Sequence, residues 1–415
     1  MGYRRFPRVG SAVIVEPVEV HRAKGRVDRR ARLRSSDGDG VLWHAAPADV
    51  ADAGNDASAF LGVGLWLAMR RHEDLEVVGP VSPALLDRTD EIQDLYCAWD
   101  PTMARVVVRA RAGDRRRARG RATAFFSRGV DSTFAAARDR SGPRRLDALV
   151  FGDRLEPRHD DAIRAHEIVR AAAAADRLEL PLVVTESNVR AVMDPMARDW
   201  EDAVAPGLSF LAHNLAGGVR SAVIPSADDY VSLEPSGTGP LLDPLFSTER
   251  VTIAHDTPRW SRLQKLEWLT HERPDLLDTI KVCFKENRPD NCGVCGKCLL
   301  NIACLHITGG LARAREFPAT LDVDAIGRMK LPHLKARLEW AEVAASLSQT
   351  QTDRDLRDTI LEVLRASAIR APEHPAPGGP LWVDPTSIRN HRLNLILSLV
   401  LEGRPYAGGD GEPDS

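Results

Sequence analysis

The sequence predicts an α/β protein built on a doubly wound parallel sheet, with a mixed N-terminal module, a four-cysteine loop and a helical C-terminal region. Three observations carry this expectation. From Arg121 onward, short apolar runs alternate with helical runs, the pattern of a parallel sheet covered on both faces. One apolar run stops at a turn bearing hydroxyls and glycine, Ser127-Arg128-Gly129-Val130-Asp131-Ser132-Thr133, and an alanine-rich run follows. Further on, Cys283, Cys292, Cys295 and Cys298 fall within sixteen residues.

The first 118 residues read as a separate mixed α/β module whose role is left open. Strands are expected at 11–18, 41–44 and 106–108 and a helix at 59–69, before an arginine-rich linker at 112–120. A domain at 119–281 comes next, with strands at 122–126, 146–151, 182–185 and 221–224. Its helices are expected at 133–140, 160–176 and 207–218. From 225 to 256 the chain is rich in Pro and Gly, an irregular stretch long enough to suggest a functional loop. A helix at 262–271 precedes the cysteine segment at 282–306, and helices dominate the region 307–406. The tail at 407–415 is Gly, Pro and acid, a disordered composition.

Of the 415 residues, 43% are hydrophobic and 28% charged, and the net charge is −3. That balance supplies no global drive toward nucleic acid or anionic membranes. No apolar run approaches the roughly 20 residues of a membrane helix. The N-terminus has basic residues but no apolar run behind them, so a cytoplasmic protein is expected. The basic stretches at 26–34 and 105–121 lack aromatics for base stacking. They read as solvated strand and linker faces, and RNA is not an expected partner.

A strand, a tight turn and a helix start offer backbone N–H groups and a positive helix end to a phosphate. Ligands of such sheets bind outside the carboxyl ends of strands, where Ser127 falls. The strand end Phe151-Gly152 falls beside it, and Asn188 and Arg190 come after the next strand end, facing the same cleft. The four cysteines supply soft thiolates from a loop with intervening glycines, which suits a closed tetrahedral zinc site of structural type. Lys281, Lys285 and Lys297 flank them and would soften their charge. Cys97 and Cys304 stand apart and read as buried free thiols.

The turn resembles the pyrophosphate loop of the N-type ATP pyrophosphatases, Ser-Gly-Gly-x-Asp-Ser, with Arg128 at a glycine position. Glycine there permits positive φ and close approach of a phosphate, whereas arginine offers a bidentate guanidinium instead. Downstream, Cys-x8-Cys-x2-Cys-x2-Cys comes after the segment Thr257-Pro-Arg-Trp-Ser-Arg262-Leu-Gln-Lys265-Leu-Glu267. Together these make residues 121–305 similar to the 7-cyano-7-deazaguanine synthases. The whole chain looks like long bacterial relatives of those enzymes, with matching segments at 185–190 and 237–247 and at His255-Asp256.

The resemblance implies an adenine nucleotide alpha hydrolase-like fold that takes ATP with Mg²⁺. The reaction it implies adenylates a small-molecule carboxylate or carbonyl oxygen, releases pyrophosphate and then transfers a nitrogen nucleophile. It assigns ATP to Ser127, Gly129, Val130, Asp131, Ser132, Thr133, Phe151 and Gly152, and catalysis to Asp131, Lys265 and Arg128. Substrate contacts would fall to Asn188, Arg190, Asp243, His255 and Arg262. No glutaminase motif accompanies them, so free ammonia, a substrate amine or a partner protein must supply nitrogen. A homodimer stays open. So do two alternatives: a tRNA-modifying transferase on the same fold, and a non-catalytic protein that binds a nucleotide or partner.

Overall fold

The computed structural model describes residues 11–115, 117–138, 145–156, 159–283, 287–331 and 333–367. Lys285, the end of the expected 133–140 helix and everything beyond 367, including the expected tail, lie outside them. The strands are β1 (Ala12–Val15), β2 (Glu19–Ala23), β3 (Arg26–Ser35), β4 (Gly38–Pro47), β5 (Asp74–Val81) and β6 (Val108–Ala112). After these come β7 (Arg121–Phe125), β8 (Ala148–Asp153), β9 (Leu182–Ser187), β10 (Val219–Ile224) and β11 (Thr252–His255). The helices are α1 (Ser58–Arg71), α2 (Pro83–Leu86), α3 (Thr89–Trp99), α4 (Val130–Ala137), α5 (Asp161–Arg177) and α6 (Val189–Met193). They continue with α7 (Val204–Asn214), α8 (Arg262–Glu272), α9 (Gly296–Thr308), α10 (Val323–Gly327), α11 (Leu334–Ser346) and α12 (Gln351–Ser367).

All eleven strands join one α/β sheet, in the order β11-β10-β7-β8-β9-β4-β3-β1-β5-β6 with β2 on β3. The ladders from β11 to β9 are all parallel. β7 is buried at four of its five positions, as a parallel strand covered on both faces must be. Given this strand order, the right-handed rule for parallel crossovers assigns α4 and α5 to one face of this half and α7 to the other. The expected strands and helices of this half all form, within a few residues of their expected ends.

The expected division at 118/119 does not coincide with a division of the structure. β4 pairs antiparallel with β9 through His44↔Ser187 and Ala45↔Glu186, joining the first hundred residues to the parallel half. One compact unit comprises the described residues of 1–227, 235–258 and 284–289, and its core runs from Val13 to Ile253. α1, apolar on every side, is buried from Ser58 to Met69.

β3 hides in the basic stretch at 26–34. Val27, Arg29, Ala31 and Leu33 point inward, and Arg29 is only 1% exposed. It fills a core position because Asn214 Oδ1 accepts from it at 2.7 Å and Asp52 lies 3.4 Å away. The outward arginines are ion-paired as well, Arg30 with Asp28 and Arg32 and Arg34 with Glu16 and Asp39.

The second unit comprises the described residues of 228–234, 259–283 and from 290 onward, so α8 belongs with the cysteines rather than with the domain expected at 119–281. α8 opens on a full capping box formed by Ser261 and Gln264. α12 buries Leu356, Ile360, Val363 and Leu364, the spacing of one helical face. Among the described residues, no helix is long and apolar enough to cross a membrane.

Burial also sets an acid response. It pushes the imidazole of His44 down to about 3 and that of His213 down to about 4, so both stay neutral in the folded chain. In the unfolded chain they take protons from about pH 6.5 downward, which favours unfolding. The first unit is therefore expected to lose on the order of 1.4 kcal/mol per pH unit for each histidine as pH falls below about 6.5. Burial acts in the opposite sense on Glu342 of the second unit, raising its carboxyl to about 7. That contribution weakens as pH rises from about 4.5 toward 7. Urea titrations at about pH 6.5 and 5 test this, and a first-unit midpoint that fails to drop contradicts it.

Candidate functional site

Numbering the parallel strands from β7, their order across the sheet is 5-4-1-2-3, so the chain reverses direction between β7 and β10. Such a reversal splays the connections apart beyond the strand ends and leaves a crevice where ligands of open α/β sheets bind. The register places Ala124 beside Val223 and Ile224 beside His255, so the carboxyl ends of β7, β10 and β11 share one rim. The Ser127–Thr133 turn opens on that rim.

The turn is held by its own hydroxyls. Ser132 Oγ accepts from Ser127 N at 3.2 Å, donates to Gly129 O at 3.1 Å and lies 3.3 Å from Ser127 Oγ. Gly129 caps α4, and Thr133 N donates to its carbonyl at 2.9 Å. The N–H groups of Val130, Asp131 and Ser132 belong to the first turn, which has no intrahelical acceptors. Ser127 is exposed and Gly129 and Asp131 are half-buried, whereas the side chains of Val130 and Thr133 point into the fold. Those two residues can offer a ligand only backbone.

Arg128 corrects an expectation. Its φ of 63° is the left-handed conformation that glycine adopts most readily, so the loop keeps its shape with an arginine in place. Its side chain is 0% exposed and pairs with Glu167 on α5 at 2.9 Å. The guanidinium therefore faces the interior rather than the crevice. Glu167, only 4% exposed, is a residue that sequence reasoning misses. Its one available signal is that a buried Arg128 needs a counter-charge.

β8 extends to Asp153, so Phe151 and Gly152 lie within its last turn of pleat rather than at its end. A Cβ on Gly152 would sit 2.5 Å from Leu155 Cδ1 and 3.0 Å from Leu211 Cδ2, which explains the glycine by packing. Asn188 and Arg190 are engaged by partners within the fold. Asn188 accepts from Trp43 N at 2.8 Å and donates to Val41 O at 2.7 Å, tying α6 to β4. Arg190 donates to Asp194 and Leu155 O at 2.7 Å each and stacks on Trp200.

Asp243 and His255, expected as separate substrate contacts, bind each other. His255 Nδ1 lies 2.7 Å from Asp243 Oδ2, and Nε2 lies 2.9 Å from Ser226 Oγ, a residue without any sequence signal. Beside them, Asp256 pairs with Arg138 at 2.9 Å. Lys265 and Arg262 lie on α8 in the second unit. Lys265 is 2% exposed, and Arg262 pairs with Glu339 at 3.8 Å.

In the second unit the four cysteine sulfurs lie within 4.8 Å of one another and could hold a metal ion. Sγ of Cys292 and Cys298 are 3.7 Å apart, and those of Cys295 and Cys283 are 4.0 Å apart. All are free thiols. The contact with Cys298 pulls the Cys295 thiol down to about 5 and pushes Cys298 up, the behaviour of sulfurs that share too few protons at close range. Cys295 caps α9, whose positive end favours thiolate. Asn291, buried behind the loop, accepts from Val282 N and Cys283 N and donates to Ile280 O, fixing the first ligand. Gly293 takes φ 77°, and a Cβ there would lie 2.4 Å from Pro318 Cγ. Of the flanking lysines, Lys281 is buried and Lys297 exposed.

No family model matches the chain, and neither a curated protein nor a solved structure matches it.

Proposed function

We propose that this chain is an ATP-dependent carbon–nitrogen ligase of the pyrophosphate-loop type, carrying a structural zinc. The observation that carries the reading is the Ser127–Thr133 turn at the sheet's point of reversal, where strand end, hydroxyls and helix N-terminus converge. ATP with Mg²⁺ would be its substrate, with Ser127, Ser132 and the amides of 129–132 against phosphate. An acceptor carboxylate or carbonyl oxygen would attack the α-phosphorus, pyrophosphate would leave, and a nitrogen nucleophile would then displace AMP. The chain's share of that work is positioning and charge neutralisation. The sulfur-transfer alternative is disfavoured, because burial raises the thiols of both Cys97 and Cys304 and so lowers their thiolate fraction.

Zinc suits the cysteine site. A tetrahedral ion with Zn–S of about 2.3 Å requires sulfurs about 3.8 Å apart, and two of the pairs here stand at 3.7 and 4.0 Å. Four thiolates close the shell, so the ion would hold structure rather than activate water.

Isothermal titration of Mg·ATP into the full, zinc-loaded chain tests the nucleotide reading without an acceptor substrate. Saturable binding near one ATP per chain is expected, weakened roughly ten- to a hundredfold in Ser132→Ala by loss of a hydrogen bond to a charged group. Absence of binding by the folded protein at millimolar ATP would overturn it.

A further inference from the structure

We propose that Asp243, His255 and Ser226 form a charge relay whose serine attacks an activated acyl group, such as a carboxylic ester. The inference rests on this hydrogen-bond chain alone and not on the nucleotide reading. The three residues come from separate places in the sequence. Ser226 lies two residues past β10, His255 ends β11, and Asp243 opens the short turn Asp243–Phe246. A carboxylate only accepts, so at the 2.7 Å contact Nδ1 is the donor. In the proposed relay the lone pair of Nε2 faces Ser226 Oγ, 2.9 Å away, and accepts from it. That polarity is what base-assisted attack by a hydroxyl requires.

The orienting carboxylate is itself fixed. Thr238 Oγ1 donates to the two Asp243 oxygens at 3.1 and 3.0 Å, and Gly239 N donates at 2.9 Å. The Asp243 side chain is 0% exposed and that of His255 5%, so the pair is shielded from water, which strengthens it. Ser226 is 2% exposed, and the chain reaches solvent at Ala227 one residue on, beyond the carboxyl end of β10. A purely structural tie between β10 and β11 would be served as well by the reverse ring orientation or by an amide side chain.

In the proposed step, Ser226 Oγ forms a bond to the acyl carbon while its proton passes to His255 Nε2. The bond from that carbon to the leaving oxygen breaks with its electron pair, and the proton on Nε2 passes to that oxygen. Water then bonds to the acyl carbon as its proton passes to Nε2, the bond from that carbon to Ser226 Oγ breaks with its electron pair, and the proton on Nε2 passes to Oγ, releasing the acid and restoring the serine.

Treatment of the full chain with a fluorophosphonate probe, followed by peptide mass mapping, tests the relay. The expected product is a single adduct on Ser226, formed with loss of fluoride and absent from Ser226→Ala at unchanged melting temperature. His255→Gln should slow labelling about a hundredfold or more. Asp243→Asn should also slow it and serves if the histidine variant fails to fold. Para-nitrophenyl acetate should be cleaved by the wild type and not by Ser226→Ala. No adduct at Ser226 in folded protein, or an equal labelling rate in a folded His255 or Asp243 variant, would overturn the proposal.

Discussion

Cys298→Ser is expected to abolish binding of one zinc ion per chain and to unfold the second unit at temperatures where the first remains folded. Cys298 is 0% exposed and stands in the first turn of α9, so the serine hydroxyl would replace a thiolate in a dry, closed shell. Structural zinc sites contribute roughly 10–16 kcal/mol to the folding of small domains, which exceeds the ~5–15 kcal/mol net stability of a typical domain. The loss should also spread. Asn291 links the loop to the segment at Ile280–Cys283, and α9 packs against α8, α10 and α11. Metal analysis and scanning calorimetry check this, with a strong chelator expected to reproduce the variant and Cys97→Ser to leave both readouts unchanged. Unaltered zinc content and melting in Cys298→Ser would rule out a structural metal at these cysteines.

Arg128→Gly, which places glycine at a left-handed φ, is expected to destabilise the first unit by about 3–5 kcal/mol, the usual effect of breaking a buried ion pair. Two opposing effects decide the sign. Glycine relieves a left-handed φ that costs an L-residue roughly 1–2 kcal/mol. Against that, Glu167 is left at 4% exposure without the guanidinium 2.9 Å away, and the volume of a fully buried arginine is vacated. The second effect is the larger. Pairing Arg128→Gly with Glu167→Leu should recover a good part of the loss, since the buried carboxylate is then gone. Denaturant titration of the two single variants and the double variant measures the coupling. A stability gain in Arg128→Gly alone would show that the pair does not hold the loop.

The two halves of the sheet differ in how well the sequence announces them. β7 is legible because a strand buried on both faces leaves a largely apolar run, Ala122–Phe126, and β8 to β10 because short apolar runs alternate with helical ones. β3 reads only as a solvated strand or linker face, and its buried side is missed because Arg29 occupies an inward position where a hydrophobe is expected. Only partners far away in sequence, Asp52 and Asn214, make that arginine tolerable. β11 is likewise lost in a Pro- and Gly-rich stretch, four residues long and recognisable only by its pairing with β10.

The candidate sites divide in the same way. The turn and the cysteines are local patterns, set by neighbours a few residues apart, and they emerge where the spacing puts them. The direction of the Arg128 side chain depends on Glu167, and the relay joins Ser226 to a histidine 29 residues later. Neither leaves a periodicity to read. Asn188 and Arg190 mislead for a related reason: a polar residue after a strand end looks the same whether it faces a ligand or ties down a neighbouring strand.

The β4–β9 junction also has a consequence for synthesis. Thr185 Oγ1 and His44 are hydrogen-bonded partners 141 residues apart in the chain. A ribosome therefore delivers β1 to β6 with β4 as an open edge, and that edge stays open until β9 has emerged. Contacts of such long separation slow folding, and an exposed strand edge invites pairing with other chains. The junction that unites the sheet thus leaves the nascent first hundred residues dependent on a strand made much later, and it times their protection by translation rather than by their own sequence.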